Sequence, residues 1–195
     1  TTAYIIKNLN ATIEPGPKVS KTATIKINIY ADKHREAVTH VIVGMYRNPN
    51  YDSLFPHSLK QMMEGTQRQH PAAHTTVIDD INIDLLKLRK NMYNTIIETG
   101  LYTTITTPTR YEKKVGYKES QTLIDVIMTT MTNTAITSGT IPPQITDHLP
   151  IYASFDMHVD RITNNKRKTL STARYKRNKD KILPTIKAKI SDIQK

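Results

Sequence analysis

The chain has 195 residues and a net charge of +11, with 37% hydrophobic residues, two Phe, no Trp and no Cys, a composition that suits one domain with a sizeable core or one domain with a tail. Without Cys there is neither a disulfide framework nor a thiolate metal site, so any metal must be held by oxygens or imidazoles, and an intracellular setting is expected. No apolar run approaches the length of a membrane span, and Thr1-Thr2-Ala3-Tyr4 resembles neither a signal peptide nor a natural start, so a fragment that does not engage a membrane is expected.

In chain order, Ala3 to Lys7 and Thr22 to Tyr30 read as strands, the second alternating Ile25, Ile27 and Ile29 with Thr24, Lys26 and Asn28. Glu14-Pro15-Gly16-Pro17 between them reads as a turn, and the polar stretch Ala31 to Ala37 as a hairpin tip. Val38 to Tyr46 is the next strand, with His40, Ile42, Gly44 and Tyr46 on one side and Val41, Val43 and Met45 on the other. Pro49 ends it within Tyr46-Arg47-Asn48-Pro49. Ser53 is the expected N-cap of a helix from about Leu54 to Gln69, closed by His70-Pro71, with Leu54, Phe55, Leu59, Met62 and Met63 as its apolar stripe.

Thr75 to Ile78 forms the strand that leads into Asp79-Asp80-Ile81-Asn82-Ile83-Asp84. Acids and an amide are unfavourable inside a strand. Two readings account for them: Asp79-Asp80 begins a turn and Asp84 caps a helix, or Asp80 and Asn82 project from a strand end to do chemistry. A second helix is expected from Asp84 to Gly100, burying Leu85, Leu88, Met92, Ile96 and Ile97, with Gly100 as its stop. Leu101 to Thr107 leads, as a short strand or extended segment, into Pro108-Thr109-Arg110, and Tyr111 to Ser120 reads as an exposed loop.

Thr122 to Thr129 is a strand whose only charge is Asp125, an acid that is costly to bury unless paired. Ala135 to Ile141 and Ile151 to Met157 complete the strands and flank Asp147-His148-Leu149-Pro150. Up to Asp160 there are 16 Lys or Arg against 15 acids; from Arg161 onward there are 12 against 2. The expected organisation is therefore a body over residues 1–158 and a basic tail over 159–195, with a helical stripe of Ile182, Leu183, Ile186, Ile190 and Ile193. Lys166, Arg167, Lys168, Arg174, Lys176 and Arg177 make the tail a candidate phosphate-binding arm.

Four clusters in this order, Tyr46-Arg47-Asn48-Pro49, Asp79-Asp80-Ile81-Asn82, Thr122-Leu123-Ile124-Asp125 and Asp147-His148-Leu149-Pro150, each end or adjoin an apolar run. The chain thereby resembles the endonuclease/exonuclease/phosphatase superfamily, in particular the apurinic-type endonuclease domain of non-LTR retrotransposons. The resemblance covers most of residues 3–155. It implies an α/β (α+β) fold: a four-layered sandwich of two mixed, largely antiparallel sheets flanked by helices, deoxyribonuclease-I-like and lacking its first strands. It also implies divalent-metal-dependent phosphodiester hydrolysis by a retroelement-type DNA endonuclease, with Mg²⁺ or Mn²⁺ as cofactor and DNA as partner. A reverse transcriptase region in the full polyprotein and a nuclear location are further implications.

By the same resemblance, His148 would stabilise charge on the scissile phosphate, Asp147 would orient it and weakly ligate metal, and Asp125 would hydrogen-bond His148. Asp80 would position or deprotonate the attacking water, Asn82 would hold a phosphate oxygen, and Tyr46 would be the active-site tyrosine. Arg47, Thr109 and Arg110 would contact DNA. Asp79 stands where the motif has Gly and Ile81 where it has an aromatic, while Asn48 replaces a Pro. No residue here supplies the family's N-terminal Asn and metal-binding Glu, so impaired activity is expected; Glu14, in its Pro/Gly turn, is not promoted to that role. Two other functions compete: a non-catalytic nucleic-acid-binding fragment that relies on the tail, and a phosphatase for a small phosphoester.

Overall fold

The structure is a computed structural model that describes residues 9–20, 22–31, 34–50, 53–88, 90–112, 119–132, 136–142 and 146–155. The expected strand at Ala3 to Lys7 and the basic tail with its helix lie outside the described residues. Strands β1 (Ala11–Pro15), β2 (Thr22–Tyr30) and β3 (Val38–Arg47) form an antiparallel meander. Helix α1 (Phe55–Gln69) then crosses to β4 (His74–Asp80), which pairs in parallel with β3. A 3₁₀ turn (Leu85–Lys87) and helix α2 (Lys90–Glu98) lead to β5 (Tyr102–Thr103). Strands β6 (Arg110–Glu112) and β7 (Ser120–Thr122) form a small hairpin, followed by β8 (Asp125–Thr129), β9 (Ile136–Thr140) and β10 (Ile151–Phe155). The main sheet runs β1-β2-β3-β4-β8-β5, and β9 pairs with β10 alone among the described strands.

Period-2 alternation gives the central strands two buried faces. Val41, Val43, Met45, Val77, Val126 and Met128 meet Phe55, Leu59, Met62 and Met63 of α1 and Met92 of α2. On the opposite face Ile78 and Ile127 pack with Ile151, Ala153 and Phe155 of β10. The α+β class with a mixed sheet is as expected. Helices, main sheet and the β9-β10 sheet make three layers; a fourth is not among the described residues.

Several expectations are corrected. Glu14 and Pro15 belong to β1 rather than to a turn, because Glu14 lies opposite Lys26 and ion-pairs with it at 2.9 Å. Ser53 does not cap α1; Leu54 occupies that position, no side chain caps it, and Leu54 is 61% exposed rather than part of the stripe. The single helix over 84–100 is two pieces: extended backbone at Leu88 separates them, and Ile97 faces solvent. Asp84 does act as a cap, accepting the Leu86 N–H, and Gly100 takes the left-handed conformation with φ 70°. The expected loop over 111–120 begins and ends inside the β6-β7 hairpin, whose pairing continues to Glu112 and Ser120. β8 starts at Asp125 instead of Thr122.

His40 is the most heavily buried titratable side chain on the sheet face towards β10. Its Nε2 lies 2.7 Å from the Thr76 hydroxyl, which itself donates to Thr129 Oγ1 at 3.0 Å. That order makes Nε2 the donor and leaves Nδ1 bare, without a partner among the described residues. Burial, with His74 close by, pushes the imidazole down to about 4 from 6.5. The unfolded chain therefore binds a proton that the native fold refuses. Stability is fully present above about pH 6.5 and falls as pH drops towards about 4, by roughly 3 kcal/mol from this residue. Urea unfolding across that range should show the loss, and His40→Gln should flatten it; an unchanged slope in the variant would refute the assignment.

Candidate active site

The site is built where β4 ends against the start of β8. Antiparallel register places Asp80 directly opposite Asp125. Two like charges facing across a ladder destabilise it unless something compensates. His148 is the neighbouring compensation: its Nδ1 lies 3.0 Å from Asp125 Oδ2 and 3.1 Å from Oδ1. Asp80, Asp125 and His148 each offer a ligand atom, all within 4.8 Å of one another. Burial raises the Asp80 carboxyl above its usual range, aided by the Asp125 and Asp79 charges, while the Asn82 N–H and His148 oppose the rise.

The backbone departs from the strand to make this arrangement. Asp79 has φ 113° and Asn82 φ 47°, both in the left-handed region. The position where the resembling motif carries Gly is thus one where a side chain is strained, which gives that glycine a physical reason. The turn is held by its own polar groups. Asp79 Oδ1 accepts the Asp80 N–H at 2.9 Å, Asp80 Oδ1 accepts the Asn82 N–H at 2.8 Å, and Asn82 Nδ2 donates to the Arg47 carbonyl at 2.8 Å. Ile81, fully buried, donates its N–H to Ile124 O at 3.0 Å and so joins the turn to the entry of β8.

Two residues read from sequence as DNA contacts, Arg47 and Thr109, are buried. Arg47 is 3% exposed; its guanidinium stacks 5.3 Å above the Phe55 ring and points at the carbonyls of Ile81, Asn82 and Asn50 at 3.4 to 3.5 Å. It supports the turn from behind. Thr109 is fully buried, and its hydroxyl oxygen accepts the Ile124 and Asp125 N–H groups. Arg110 does reach the surface, but its Nε donates to Asp147 Oδ2 at 2.9 Å, which holds the Asp147 carboxyl below its ordinary range. Asp147 therefore faces Arg110 and stands outside the three-donor group. Tyr46 is 43% exposed at the end of β3, also outside that group. Lys166, Arg167, Lys168, Arg174, Lys176 and Arg177 lie outside the described residues.

Asp79, Asp125 and His148 also edge one end of a cleft of about 870 Å³ between the main sheet and β10. Ile25, Ile42 and Ile78 line its sheet side and Tyr152 its other side. The donor set fits a divalent cation: two carboxylates that face each other across the ladder, and one imidazole. Because Asp125 engages Nδ1, Nε2 is the ring nitrogen of His148 that remains for a ligand or substrate.

No known family profile matches the chain, and no curated protein matches it. Solved structures do, and the fold they share is that of the endonuclease/exonuclease/phosphatase proteins. Within that class, the endonuclease domain of TRAS1, a telomere-specific non-LTR retrotransposon, matches with TM-score 0.52 and 14% identity, over 78% of this chain and 72% of that one. The mannosyl-6-phosphatase Bt3783 of Bacteroides thetaiotaomicron VPI-5482 matches with TM-score 0.52 and 9% identity, over 70% and 57%. An endonuclease/exonuclease/phosphatase family protein of Leptotrichia buccalis C-1013-b gives 0.48 and 15%, over 69% and 53%. The chain thus spans about half to just under three quarters of the length of the structures it matches.

The strain at Asp79 has a measurable consequence. Asp79→Gly removes the left-handed penalty and one negative charge beside Asp80, at the loss of the short Asp79–Asp80 hydrogen bond. Stability should rise by about 1 kcal/mol in chemical denaturation. A fall of that size would show that the Asp79 side chain stabilises the turn more than its conformation costs.

Proposed function

We propose that the chain is the phosphodiester-hydrolysing body of a retroelement-type DNA endonuclease. The observation that carries the reading is the cross-strand Asp80–Asp125 pair with His148 hydrogen-bonded beside it, at the mouth of a cleft in an endonuclease/exonuclease/phosphatase fold. The similarity to the TRAS1 domain and the basic charge of residues 161–195 favour DNA as substrate. The described part of the chain has no helix long and apolar enough to cross a membrane.

Asp125 accepts the Nδ1 proton of His148, fixes the ring and leaves Nε2 facing a phosphate oxygen, where a protonated imidazole donates to the charge that develops. Asp80, kept from easy ionisation by burial, is placed to take a proton from the attacking water. Arg110, anchored on Asp147 at the rim, adds a cation near an incoming phosphate. Asp80 and Asp125 would hold Mg²⁺ or Mn²⁺, which when bound would supply charge neutralisation, with Nε2 of His148 kept for the phosphate.

Supercoiled DNA with Mg²⁺ provides the test. The wild type should nick it, chelation should stop nicking, and His148→Ala should slow it by roughly 10²- to 10⁴-fold. Nicking that is indifferent to both would place the chemistry elsewhere. Turnover of a soluble phosphomonoester without DNA cleavage would favour the phosphatase reading.

A further inference from the structure

Thr109 makes more connections at the site than its exposure of 0% requires for packing alone. Its N–H donates to Thr122 O at 2.9 Å, which seats it beside the end of β7. Its hydroxyl oxygen accepts two main-chain N–H groups, from Ile124 at 3.2 Å and from Asp125 at 3.0 Å. Its carbonyl accepts the N–H of Leu149 at 2.6 Å, the residue after His148. Strand β8 opens at Asp125, so the two N–H groups that Oγ1 receives lie at the entry to the strand, on and beside the residue that holds His148. Flanking contacts repeat the pattern: Arg110 bridges His148, and the Tyr111 N–H donates to Asp147 O at 2.9 Å.

We propose that Thr109 is a positioning residue for the Asp125–His148 pair. The hydroxyl oxygen fixes the main chain of Asp125, and the carbonyl of the same residue fixes the chain next to His148, so one buried side chain and its own peptide set the spacing of the two. Nδ1 lies within hydrogen-bond reach of both Asp125 oxygens, at 3.0 and 3.1 Å, so the contact depends on where the main chain holds the carboxylate. A shift of the β8 entry away from His148 would lengthen both contacts and free the ring to turn. Val has nearly the shape of Thr, but it leaves two buried N–H groups without an acceptor, and the segment must move to satisfy them. The inference rests on the proposed hydrolase reading for its catalytic consequence, though not for its structural one.

The test has two independent arms. Long-range ¹H–¹⁵N spectra, recorded at a pH where they show a neutral ring, report the His148 tautomer directly. The wild type and Thr109→Ser should show the Nδ1–H form alone, whereas Thr109→Val and Thr109→Ala should show a mixture of both tautomers. In nicking assays, Val and Ala should lower kcat by about 10- to 100-fold with little change in KM, and Ser should restore it. Amide exchange of the wild type adds a measurement that needs no variant: the Ile124 and Asp125 N–H groups should be protected together. The proposal is overturned if Val and Ala keep the single tautomer, if Ser loses it as Val does, or if those two amides exchange as freely as an open loop. Should no version cleave DNA, the hydrolase reading falls while the tautomer and exchange results still decide the role of Thr109.

Discussion

Everything in the site follows from the antiparallel register of β4 on β8. That ladder sets Asp79 opposite Val126 and Asp80 opposite Asp125, so hydrogen bonding in the sheet forces two carboxylates together. The sheet tolerates this because the conflict lies at the strand ends, where β4 is ending and β8 beginning, and because His148 is brought alongside. A one-residue slip would exchange the faces of every side chain on β8, placing Ile127 among the helices and exposing Val126 and Met128 to the cleft. The apolar alternation of β8 therefore locks the pairing that the acids alone would oppose.

Around that conflict the surrounding residues supply preorganisation more than chemistry. Arg47 supports the carbonyls of the Asp79–Asn82 turn from within the helix-facing core. Asp84 accepts the N–H groups of Leu86 and Leu123 at 3.1 Å each, coupling the 3₁₀ turn to the approach of β8. Such contacts hold the side chains of the cluster in place; under the proposed hydrolase reading that is the preorganisation electrostatic catalysis uses. Strain at Asp79 and Asn82 is the counterpart cost, and it falls beside the Asp80–Asp125–His148 cluster.

Strands were the most legible part of the sequence. β2, with its Ile alternation, matches the expected limits, and β3 extends one residue past them; its two faces divide as the pattern predicted. β1 was not legible, because Pro15 and Gly16 signal a turn while the cross-strand Glu14–Lys26 ion pair that favours pairing is invisible in one dimension. The break within the second helix was equally hidden, since Leu85, Leu88 and Met92 keep helical spacing across it. At the site, the requirement that Asp125 find a partner was readable from its apolar surroundings, and the family resemblance named His148. The buried roles of Arg47 and Thr109 were not readable: a cation and a β-branched hydroxyl look the same in sequence whether they face solvent or main-chain groups. Asp147 shows the same limit, as its partner Arg110 is distant in sequence and meets it only through the β6 bridge.

The most direct test of the central claim is hydrolysis of a simple phosphodiester, bis(4-nitrophenyl) phosphate, by wild type and by Asp125→Asn at equal Mn²⁺. Asn keeps the size of the side chain and removes the charge that holds the His148 proton. The account predicts turnover by the wild type and a loss of about 100-fold or more in the variant, with folding intact by circular dichroism. Equal rates in the two proteins, or no turnover by the wild type, would contradict it.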